Sequence, residues 1–415
     1  MQRSSGPFAA MGMLFFMIGF ITCLNDILVP HMKSLFDLNY LQAALIQFSF
    51  FTAYFVIAFP SSWLISRLGY QRSIVVGLSV SALGAALFYP ASIAQSYPLF
   101  LVGLFTLAAG FALLQTAMNP YVAVLGPPES SSARLVLSQA FNSVGTTIAP
   151  LMGGLFILGT ILSADDMAML SPSEVTDYKA TQSAAVQVPY LVLMGLLILL
   201  AVIMWRLHLP TIADVEGEDE RSVSFWAPLR VPHTLKGVFG IFAYVGAEVA
   251  IGSFMVNYFQ EQVGIGEQDA SQYVAYYWGG AMVGRFIGSW LLTHLRPGML
   301  LGVMSVANVL LVSGAMMTNG FVSASMLVLC GLFNSIMFAT IFTLAIKDVG
   351  VMTNKASSWL IAAILGGAII PAIQGAIADS TGTLVPSYVV PAICYVYIAY
   401  YGFLGSRHTT QGRAV

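Results

Sequence analysis

Hydrophobic residues occur along this chain in stretches of about twenty residues or more, and polar segments separate these stretches. A helix needs roughly 20 predominantly apolar residues to cross the hydrocarbon core of a membrane. The pattern therefore predicts an all-α membrane protein with twelve transmembrane helices. Their predicted bounds are 8–31, 41–66, 72–91, 97–125, 133–160, 187–207, 233–261, 270–294, 298–318, 322–349, 354–379 and 385–405.

One polar segment, 208–232, separates the first six predicted helices from the last six. It contains five carboxylates that cannot lie in lipid without a large cost. These are Asp214, Glu216, Glu218, Asp219 and Glu220. We therefore predict an N-terminal six-helix bundle at 1–207, a cytoplasmic linker at 208–232 and a C-terminal six-helix bundle at 233–415.

Positively charged residues indicate which loops face the cytoplasm, because cytoplasmic loops accumulate Lys and Arg. With both termini inside the cell, 14 of the 16 Lys and Arg residues fall in inner loops and at inner helix ends. Only Lys33 and Lys179 are left outside. This asymmetry predicts that the N- and C-termini are cytoplasmic.

Composition decides which surroundings and partners are expected. Only 8% of the residues are charged, against about 25% in ordinary soluble domains, so the lipid bilayer is the expected environment. The net charge is −2 without a basic cluster, so nucleic acid is not expected as a partner. Cys23, Cys330 and Cys394 all fall in apolar stretches and are expected to pack rather than to form disulfides or bind metal. Arg3 precedes an apolar run without an A-x-A-like cleavage site, which predicts a retained first helix.

The two halves of the chain share a spacing of small residues and proline. The pattern G-x4-P-x3-G begins at Gly145 in the fifth predicted helix and recurs at Gly366 in the eleventh, an offset of 221 residues. The same offset carries Asp26 of the first helix to within one residue of Glu248 in the seventh. A duplicated six-helix unit is typical of transporters that bind substrate between their halves, near the membrane midplane.

Two carboxylates, Asp26 and Glu248, lie near the middle of predicted helices. A charged carboxylate that faces lipid there costs about 2.5–3.5 kcal/mol or more, so each is expected to face a cavity or a partner. No Lys or Arg lies at comparable depth in the sequence, which favours a role in binding a coupling ion, either H⁺ or Na⁺. The alternative is a structural carboxylate that is protonated or paired between packed helices. Tyr244 lies one turn before Glu248 and is expected to hold its carboxyl group.

Polar amides form a second group of candidate residues. Gln115 and Asn119 are four residues apart, so both project from one helix face. Gln139 and Asn142, three residues apart, do the same in the next helix. Amides at similar depths in other helices are Asn25, Gln47 and Asn334. Amides donate and accept hydrogen bonds, as the hydroxyl groups of a sugar require, although an interhelical hydrogen bond is the alternative for any one of them.

Further candidates lie in the C-terminal half. Asn257 is nine residues from Glu248, so the two point to opposite faces of an ideal helix, and only one faces a cavity unless Gly252 breaks the helix. Aromatic residues that are candidates to stack on a sugar ring are Tyr276, Tyr277, Trp278 and Trp359. Packing or anchoring at the membrane interface is the alternative for each of them.

Motifs of other chemistries do not occur in the sequence. It contains neither the phosphate loop G-x-x-x-x-G-K-[ST] nor the metal-binding pattern H-E-x-x-H. We therefore predict that the chain is not an enzyme and that it uses no cofactor besides a coupling ion.

Eight segments in both halves of the chain resemble one family of transporters. They are GFITCLNDILVPHMKSLFDLNYLQAALIQFSFFTAYF, SRLGYQRS, QTAMNPYVAVLG, LSQAFNSVGTTIAP, YVGAEVAIGSFMVNYF, YYWGGAMVGRFIGSWLL, FNSIMFATIFTLAI and GGAIIPAIQG. They are similar to the fucose, glucose and galactose symporter family of the major facilitator superfamily, and most similar to its glucose/galactose branch. The resemblance implies two six-helix bundles that rock around a central sugar site, with hexose uptake driven by a proton or sodium gradient.

The resemblance also implies roles for particular residues. Asp26 matches the first-helix aspartate on which fucose/proton symport depends. The fucose transporters have a carboxylate where this chain has Gln115, which cannot titrate, and Glu248 is a candidate to supply the second carboxylate instead. Arg67 and Arg72 lie in a loop that resembles the superfamily's cytoplasmic motif, although Ser66 stands where an aspartate is usual.

The cytoplasmic motif implies a gate as well. Arg67 and Arg72 would latch the cytoplasmic gate, and Arg285 in GRFIGS looks like their counterpart in the second half. A role in setting the topology of the loop is the alternative for these arginines.

The leading hypothesis is therefore a cation-coupled importer of glucose or galactose in the cell inner (cytoplasmic) membrane, for which a monomer suffices. Asp26 binds the coupling ion, Glu248 assists coupling or holds a sugar hydroxyl, and the amides hold the sugar. The alternatives are an uncoupled sugar facilitator or sensor, and a symporter for fucose or N-acetylglucosamine. A drug exporter would need a wide apolar pocket, which the polar amides argue against.

Overall fold

The computed structural model describes residues 5–35, 40–156, 169–185, 187–207 and 223–407, and most of these residues are helical. We number the spanning helices from one to twelve in chain order. In the first half they are Ser5–Leu35, the continuous segment Tyr40–Ile93 that holds helices two and three, Tyr97–Val124, Ser131–Phe156 and Gln187–Arg206. In the second half they are Pro232–Val263, Glu267–Leu291, Pro297–Met317, Gly320–Asn334 with Met337–Ala345, Thr353–Ala362 with Gly366–Thr381, and Val389–Tyr400.

Short turns complete the described chain. They are Pro128–Ser130, Ala227–Arg230, Gly350–Met352, Ala363–Leu365 and Val385–Tyr388, together with a π-helical turn at Tyr401–Gly405. The prediction of twelve spanning helices is confirmed, and the predicted ends lie within a few residues of the described ones. Twelve spans place the two ends of the described chain on the same side of the membrane.

Helices two and three are separated by the backbone conformation of one residue. Gly69 has φ 76° inside the otherwise continuous segment Tyr40–Ile93. Glycine adopts this conformation without the steric cost that a Cβ would bring. The chain therefore bends at Gly69, and residues 40–68 and 70–93 form two spans.

Apolarity is not uniform among the spans. Within the described ranges, nine segments are long and apolar enough to cross a membrane, and one of them, Phe48–Ile93, covers helices two and three. Helices five and eight fall short of this apolarity. They pack on each other across the boundary between the two halves. Polar residues such as Ser143 of helix five and Arg285 of helix eight meet at this contact.

The two halves repeat one helix crossing. Helix one packs along helix five, and helix seven packs along helix eleven. A Cβ atom at Gly145 would lie 2.2 Å from the backbone oxygen of Phe16, and one at Gly366 would lie 2.1 Å from that of Phe242. Only glycine permits so close an approach. The repeated G-x4-P-x3-G pattern thus marks the same crossing in both halves, as a duplicated unit requires.

Two features of the secondary structure differ from the prediction. The predicted loop between helices five and six contains a helix, Pro172–Ala185. Its first turn is capped by Ser171 and Glu174, because the Ser171 amide donates to Glu174 Oε2 at 2.8 Å. Helix ten, predicted as one span over 322–349, is interrupted between Asn334 and Met337.

The two bundles meet through side chains at one end of the molecule. The hydroxyl groups of Ser132 in helix five and Thr343 in helix ten are 2.6 Å apart, and both residues are buried. Helix five begins here and helix ten ends here. We call this region, defined by Ser132 and Thr343, the closed end.

The residues that precede helix seven are fastened to helix eleven near the closed end. Lys355 Nζ donates to the backbone oxygen of Val223 at 2.7 Å. Trp359 Nε1 donates to the backbone oxygen of Phe225 at 3.1 Å. Because residues 208–222 lie outside the described part of the chain, the division into 1–207, 208–232 and 233–415 stays a prediction.

Candidate functional site

Glu248 is a buried carboxylate in helix seven, with 9% of its surface exposed. The Tyr244 hydroxyl donates a hydrogen bond to Glu248 Oε1 at 2.7 Å, one helical turn away. This is the contact that the sequence predicts. The hydroxyl fixes the direction of the carboxyl group and leaves its second oxygen for another partner.

Arg285 of helix eight lies close to this pair. Its guanidinium group interacts electrostatically with the Tyr244 hydroxyl and with the Glu248 carboxylate. The expectation that no cation lies at the depth of Glu248 is therefore wrong. The long arginine side chain carries its charge well away from its own position along the helix, so counting residues from a helix end misjudges where that charge lies.

Arg285 also bridges the two bundles. It donates to the backbone oxygen of Gln139 at 3.3 Å and to the Ser143 hydroxyl, both in helix five. Its Nε donates to the backbone oxygen of Ser335 at 3.4 Å, where helix ten is interrupted. Arg285 therefore lies inside a span and joins four helices. Its predicted role as the counterpart of the loop arginines Arg67 and Arg72 in the cytoplasmic gate stays a prediction.

The loop arginines are placed differently. Arg67 and Arg72 are exposed at the turn between helices two and three. The Arg67 guanidinium lies 4.5 Å from the centre of the Trp63 ring in its own helix. This contact stays within the N-terminal bundle, so a latch between bundles at Arg67 and Arg72 stays a prediction. The neighbouring Gln71 donates to the backbone oxygen of Met204 at 2.8 Å and fastens this turn to helix six.

Asn334 is the centre of a buried hydrogen-bond network in the C-terminal bundle. Its Nδ2 donates to the Tyr277 hydroxyl at 2.8 Å. Its Oδ1 accepts from Asn308 Nδ2 and from the Tyr395 hydroxyl, each at 2.8 Å. With no exposed surface and its oxygen occupied twice, Asn334 fastens helices eight, nine, ten and twelve together. The prediction that it contacts the substrate does not fit this conformation.

Tyr277 connects this network to the carboxylate. Its hydroxyl accepts from Asn334 and donates to the backbone oxygen of Glu248 at 3.2 Å. Tyr277 is completely buried, so it is not available to stack on a sugar ring in this conformation.

Three amides of the N-terminal bundle are partly exposed: Gln115, Gln139 and Asn142. Gln115 Nε2 donates to the hydroxyl of Tyr54 in helix two at 3.0 Å. Asn142 Nδ2 donates to the backbone oxygen of Phe15 in helix one at 3.0 Å. Each of these two amides thus has its nitrogen fixed by a neighbouring helix and keeps an oxygen that can accept from a ligand.

Asn119, one turn beyond Gln115, is different because it is completely buried. Both polar atoms of its side chain lack a hydrogen-bond partner among the described residues. The predicted contact between Asn119 and a substrate therefore does not fit this conformation, in which no surface of the residue is open.

Trp359 contributes to packing at the closed end. Its indole nitrogen is bonded to Phe225, and its ring lies 5.4 Å from that of Phe59 and 4.9 Å from that of Trp226. Linker residues pack against it on one side, and its role in binding substrate stays a prediction. Tyr276 and Trp278 are exposed on helix eight.

The remaining candidates are one residue that the structure describes and three residues whose side chains lie outside the described part of the chain. Asn257 is exposed and Glu248 is buried on the same helix, in agreement with the prediction that they occupy different faces. The side chains of Asn25, Asp26 and Gln47 lie outside the described residues, so their predicted roles stay predictions. In the part of the chain that is described, no group of three His, Cys, Asp or Glu residues is arranged to hold a metal ion.

Six residues whose side chains make these contacts escaped the sequence analysis: Tyr54, Ser132, Ser143, Asn308, Thr343 and Tyr395. Small hydroxyl residues are common in membrane helices, where they bond to their own backbone, so their occurrence gives no signal. Asn308 lies in a helix that is as apolar as the neighbouring helices. Its position near the middle of that helix was the one feature of the sequence that indicated an interhelical contact.

The fold and these polar clusters define the class of protein. The profile of the Major Facilitator Superfamily matches residues 10–360, and the chain belongs to this family of membrane transporters, which are not enzymes. It is thus a multi-pass membrane transporter with the twelve-helix fold of that superfamily.

Individual relatives cover nearly the whole chain. A glucose/galactose transporter of Brucella abortus is 46% identical over 98% of this chain and 96% of its own length. An L-fucose-proton symporter of Escherichia coli K12 is 36% identical over 98% of this chain and 94% of its own length. The crystal structure of a superfamily transporter, FucP, in the outward conformation is similar with a TM-score of 0.91 at 36% identity, covering 97% of this chain and 99% of that one.

Proposed function

We propose that this protein is a cation-coupled symporter that imports a hexose, glucose or galactose, by alternating access across the cell inner membrane. The observation that carries the proposal is the 46% identity, over almost the full length of both chains, to a glucose/galactose transporter. The protein works as a monomer, because each chain contains both bundles and the site between them.

The N-terminal amides support a sugar as the substrate. Gln115 and Asn142 each have a nitrogen held by another helix, so their oxygens are oriented before a ligand arrives. Orienting a polar group in advance lowers the entropic cost of binding. Together with Gln139, they offer neutral acceptors and donors for sugar hydroxyls, without a charge that would select an ionic substrate.

Asp26 and Glu248 are the proposed coupling-ion residues. Asp26 binds H⁺ or Na⁺, and Glu248 acts through its contacts with Tyr244 and Arg285. The driving force is sufficient, because one elementary charge that crosses about 100 mV provides roughly 2.3 kcal/mol. At about 1.4 kcal/mol for each factor of ten, this supports roughly fifty-fold accumulation of sugar.

L-fucose is the second candidate substrate. The E. coli L-fucose-proton symporter is 36% identical to the chain. Gln115 stands where the fucose transporters have a carboxylate, which favours the glucose/galactose assignment. An uncoupled facilitator would need neither intramembrane carboxylate.

The closed end is the cytoplasmic end in this proposal. Arg134, Lys347 and Lys355 lie near Ser132 and Thr343 in the sequence, and cytoplasmic loops accumulate such residues. The conformation is then outward-facing, as in the crystal structure of FucP. Alternating access requires the contacts at this end to break.

Uptake of labelled glucose into proteoliposomes tests the proposal. The purified protein is reconstituted, and uptake is measured with an inward proton gradient, with an inward sodium gradient and with neither. Accumulation above the external concentration with one gradient alone is the expected result, and it identifies the ion. Equal, non-accumulating entry under all three conditions would contradict coupling. Competition by unlabelled galactose, fucose and N-acetylglucosamine ranks the substrates.

Asp26→Asn is the corresponding variant. It removes the titratable group, so gradient-driven accumulation is expected to be abolished, while exchange of labelled for unlabelled sugar at equal concentrations continues. Asp379→Asn, an exposed residue at the end of helix eleven, is the matched control and keeps full accumulation. Accumulation that survives in Asp26→Asn would remove Asp26 from the mechanism.

A further inference from the structure

Arg285 is the meeting point of helices five, seven, eight and ten. Its guanidinium group bonds to Ser143 and the Gln139 backbone in helix five, and to the Ser335 backbone in helix ten. Towards helix seven it interacts electrostatically with Tyr244 and with the charge of Glu248. One side chain therefore connects the carboxylate of one bundle to a helix of the other.

The charges around Arg285 are unequal. Its partners in helices five and ten are a hydroxyl group and backbone oxygens, which are neutral. The titratable side chains around Glu248 are Tyr244 on its own helix, Arg285 and Tyr277 on helix eight, and Tyr395 on helix twelve. Tyrosine is neutral near pH 7. Glu248 is thus the one negative counter-charge for Arg285 within the described part of the site.

We propose that Glu248 is the counter-charge that keeps Arg285 attached to helix five, so that neutralising Glu248 detaches the two bundles and opens the closed end. This inference deepens the proposed function, since it gives Glu248 and Arg285 a positioning role in the coupled cycle. It assigns to Glu248 control of the gate rather than contact with the sugar.

The direction of the effect follows from the cost of an unpaired buried charge. While Glu248 is ionised, the guanidinium group stays between it and Ser143, and helix five is held. When Glu248 takes up a proton or a cation, Arg285 is left buried without its counter-charge, which is strongly unfavourable. Separation of helices five and eight admits water to the guanidinium group and relieves that cost.

Tyr244 transmits the change. Its hydroxyl donates to Glu248 and interacts electrostatically with Arg285, so it links the two charges. A neutral carboxyl group accepts this hydrogen bond less strongly than a carboxylate does. The hydroxyl then no longer aligns Arg285 with helix five.

The distance between the bundles at the closed end tests the proposal. Glu129 precedes helix five and Lys347 follows helix ten, and both are exposed. Nitroxide labels on Glu129→Cys and Lys347→Cys, in a Cys23→Ser background, report the separation by pulsed electron paramagnetic resonance in lipid nanodiscs. Cys330 and Cys394 are buried, and a sample without the two new cysteines measures any labelling there.

We expect a predominant short distance at high pH and a several-fold rise of a longer-distance population as the pH falls. Glu248→Gln is expected to show the longer population at every pH. Glu248→Gln combined with Arg285→Gln removes the unpaired buried charge together with the bonds of Arg285 to helix five, so contacts such as Ser132–Thr343 are left to hold the closed end. The longer-distance population is therefore expected to be smaller in the double variant than in Glu248→Gln alone, whereas a merely structural role of Glu248 would give an equal or larger one. Asp379→Asn keeps the wild-type distribution and its pH response.

Two results would overturn the inference: a wild-type distribution in Glu248→Gln, or an unchanged distribution across pH in the wild-type protein. The wild-type titration decides the matter even if Glu248→Gln fails to fold. Because the distances are measured without sugar or gradient, they are independent of the uptake assay. A pH-dependent gate without gradient-driven accumulation would contradict the proposed function alone.

Discussion

The two halves of the molecule contain the same tyrosine–amide pair in two different states. In the first half, Gln115 of helix four donates to Tyr54 of helix two. In the second half, Asn334 of helix ten donates to Tyr277 of helix eight. At the repeat offset of 221 residues, Tyr277 and Asn334 each lie two positions from the residue that matches Tyr54 or Gln115. Gln115 is nevertheless partly exposed, whereas Asn334 is completely buried.

The difference lies in the number of partners. Gln115 bonds through its nitrogen to one tyrosine and keeps its oxygen available. The oxygen of Asn334 accepts from Asn308 and Tyr395 as well. Duplication supplied one scaffold, and the two copies now serve different purposes. In the proposed function the first copy presents an amide to the sugar, whereas the second uses its amide to fasten four helices around Glu248.

Replacing the central amide of the second half should have the largest effect. Asn334→Ala removes the partner of the Tyr395 hydroxyl and of the Asn308 amide, and leaves the Tyr277 hydroxyl with the backbone oxygen of Glu248 alone. Three interhelical bonds are lost, which at the average for membrane proteins amounts to about 2 kcal/mol of unfolding free energy. Thermal unfolding in detergent is the measurement, and a clear fall in midpoint temperature is expected.

The control for this variant is Asn319→Ala, at an exposed residue between helices nine and ten, which should leave the midpoint unchanged. If Asn334→Ala were as stable as Asn319→Ala, the second-half pair would not be structural, and the contrast between the halves would disappear.

The repeated glycines test whether the two halves share one packing rule. Gly145→Ala and Gly366→Ala each place a methyl group within about 2 Å of a backbone oxygen, at Phe16 and Phe242 respectively. Forcing the helices apart costs typically 1–3 kcal/mol, and we expect similar losses of thermal stability in the two variants.

Gly195→Ala is the matched control, because a Cβ there meets nothing within 4 Å. It should leave stability unchanged or slightly raised. A large loss from Gly366→Ala beside no loss from Gly145→Ala would show that the two crossings are not equivalent.

The smallest effect is expected for a substitution in a loop outside the membrane. The loops of the two halves also differ from each other. The loop before helix six contains the helix Pro172–Ala185, whereas the loop before helix twelve is short. Hydrogen bonds from the Ser171 hydroxyl and amide hold the pKa of Glu174 below its usual range. Because the pKa of Glu174 is lower in the folded protein than in the unfolded chain, the charged carboxylate stabilises the helix at any pH above the unfolded-state pKa. This stabilisation is lost as the pH falls through the folded-state pKa.

Hydrogen exchange of the helix Pro172–Ala185 measures this contribution. Glu174→Gln should exchange modestly faster than the wild-type protein at neutral pH, and the two should converge in acid when compared at matched pH. A difference that persisted in acid would show that the Glu174 charge does not stabilise the helix.

The sequence predicts the membrane spans well because the hydrocarbon core of the bilayer imposes a simple requirement on the length and apolarity of a helix. Each crossing must be long and apolar, and the glycine repeat reports a helix crossing directly. The helix Pro172–Ala185 was missed because it is polar and lies in a loop, where the requirement for a long apolar segment does not apply. The interruption of helix ten after Asn334 was missed because apolarity continues through it.

The candidate site was predicted less completely. Depth along a helix correctly singled out Glu248 and its neighbour Tyr244. It did not anticipate the electrostatic interaction of Arg285 with a carboxylate on another helix, or the packing of linker residues against Trp359. Whether an amide faces a cavity or another helix depends on rotation and packing, and Gln115 and Asn334 look alike in the sequence.

The most direct test of the division between the halves compares two conservative variants, Tyr54→Phe and Tyr277→Phe. Each removes one hydroxyl group from one copy of the pair. Glucose binding to the purified protein is measured by calorimetry, together with thermal stability. Tyr54→Phe is expected to weaken binding several-fold with little change in midpoint temperature, and Tyr277→Phe to lower the midpoint while the folded protein binds glucose as before. The reverse pattern, or equal effects of both variants on binding, would contradict the account.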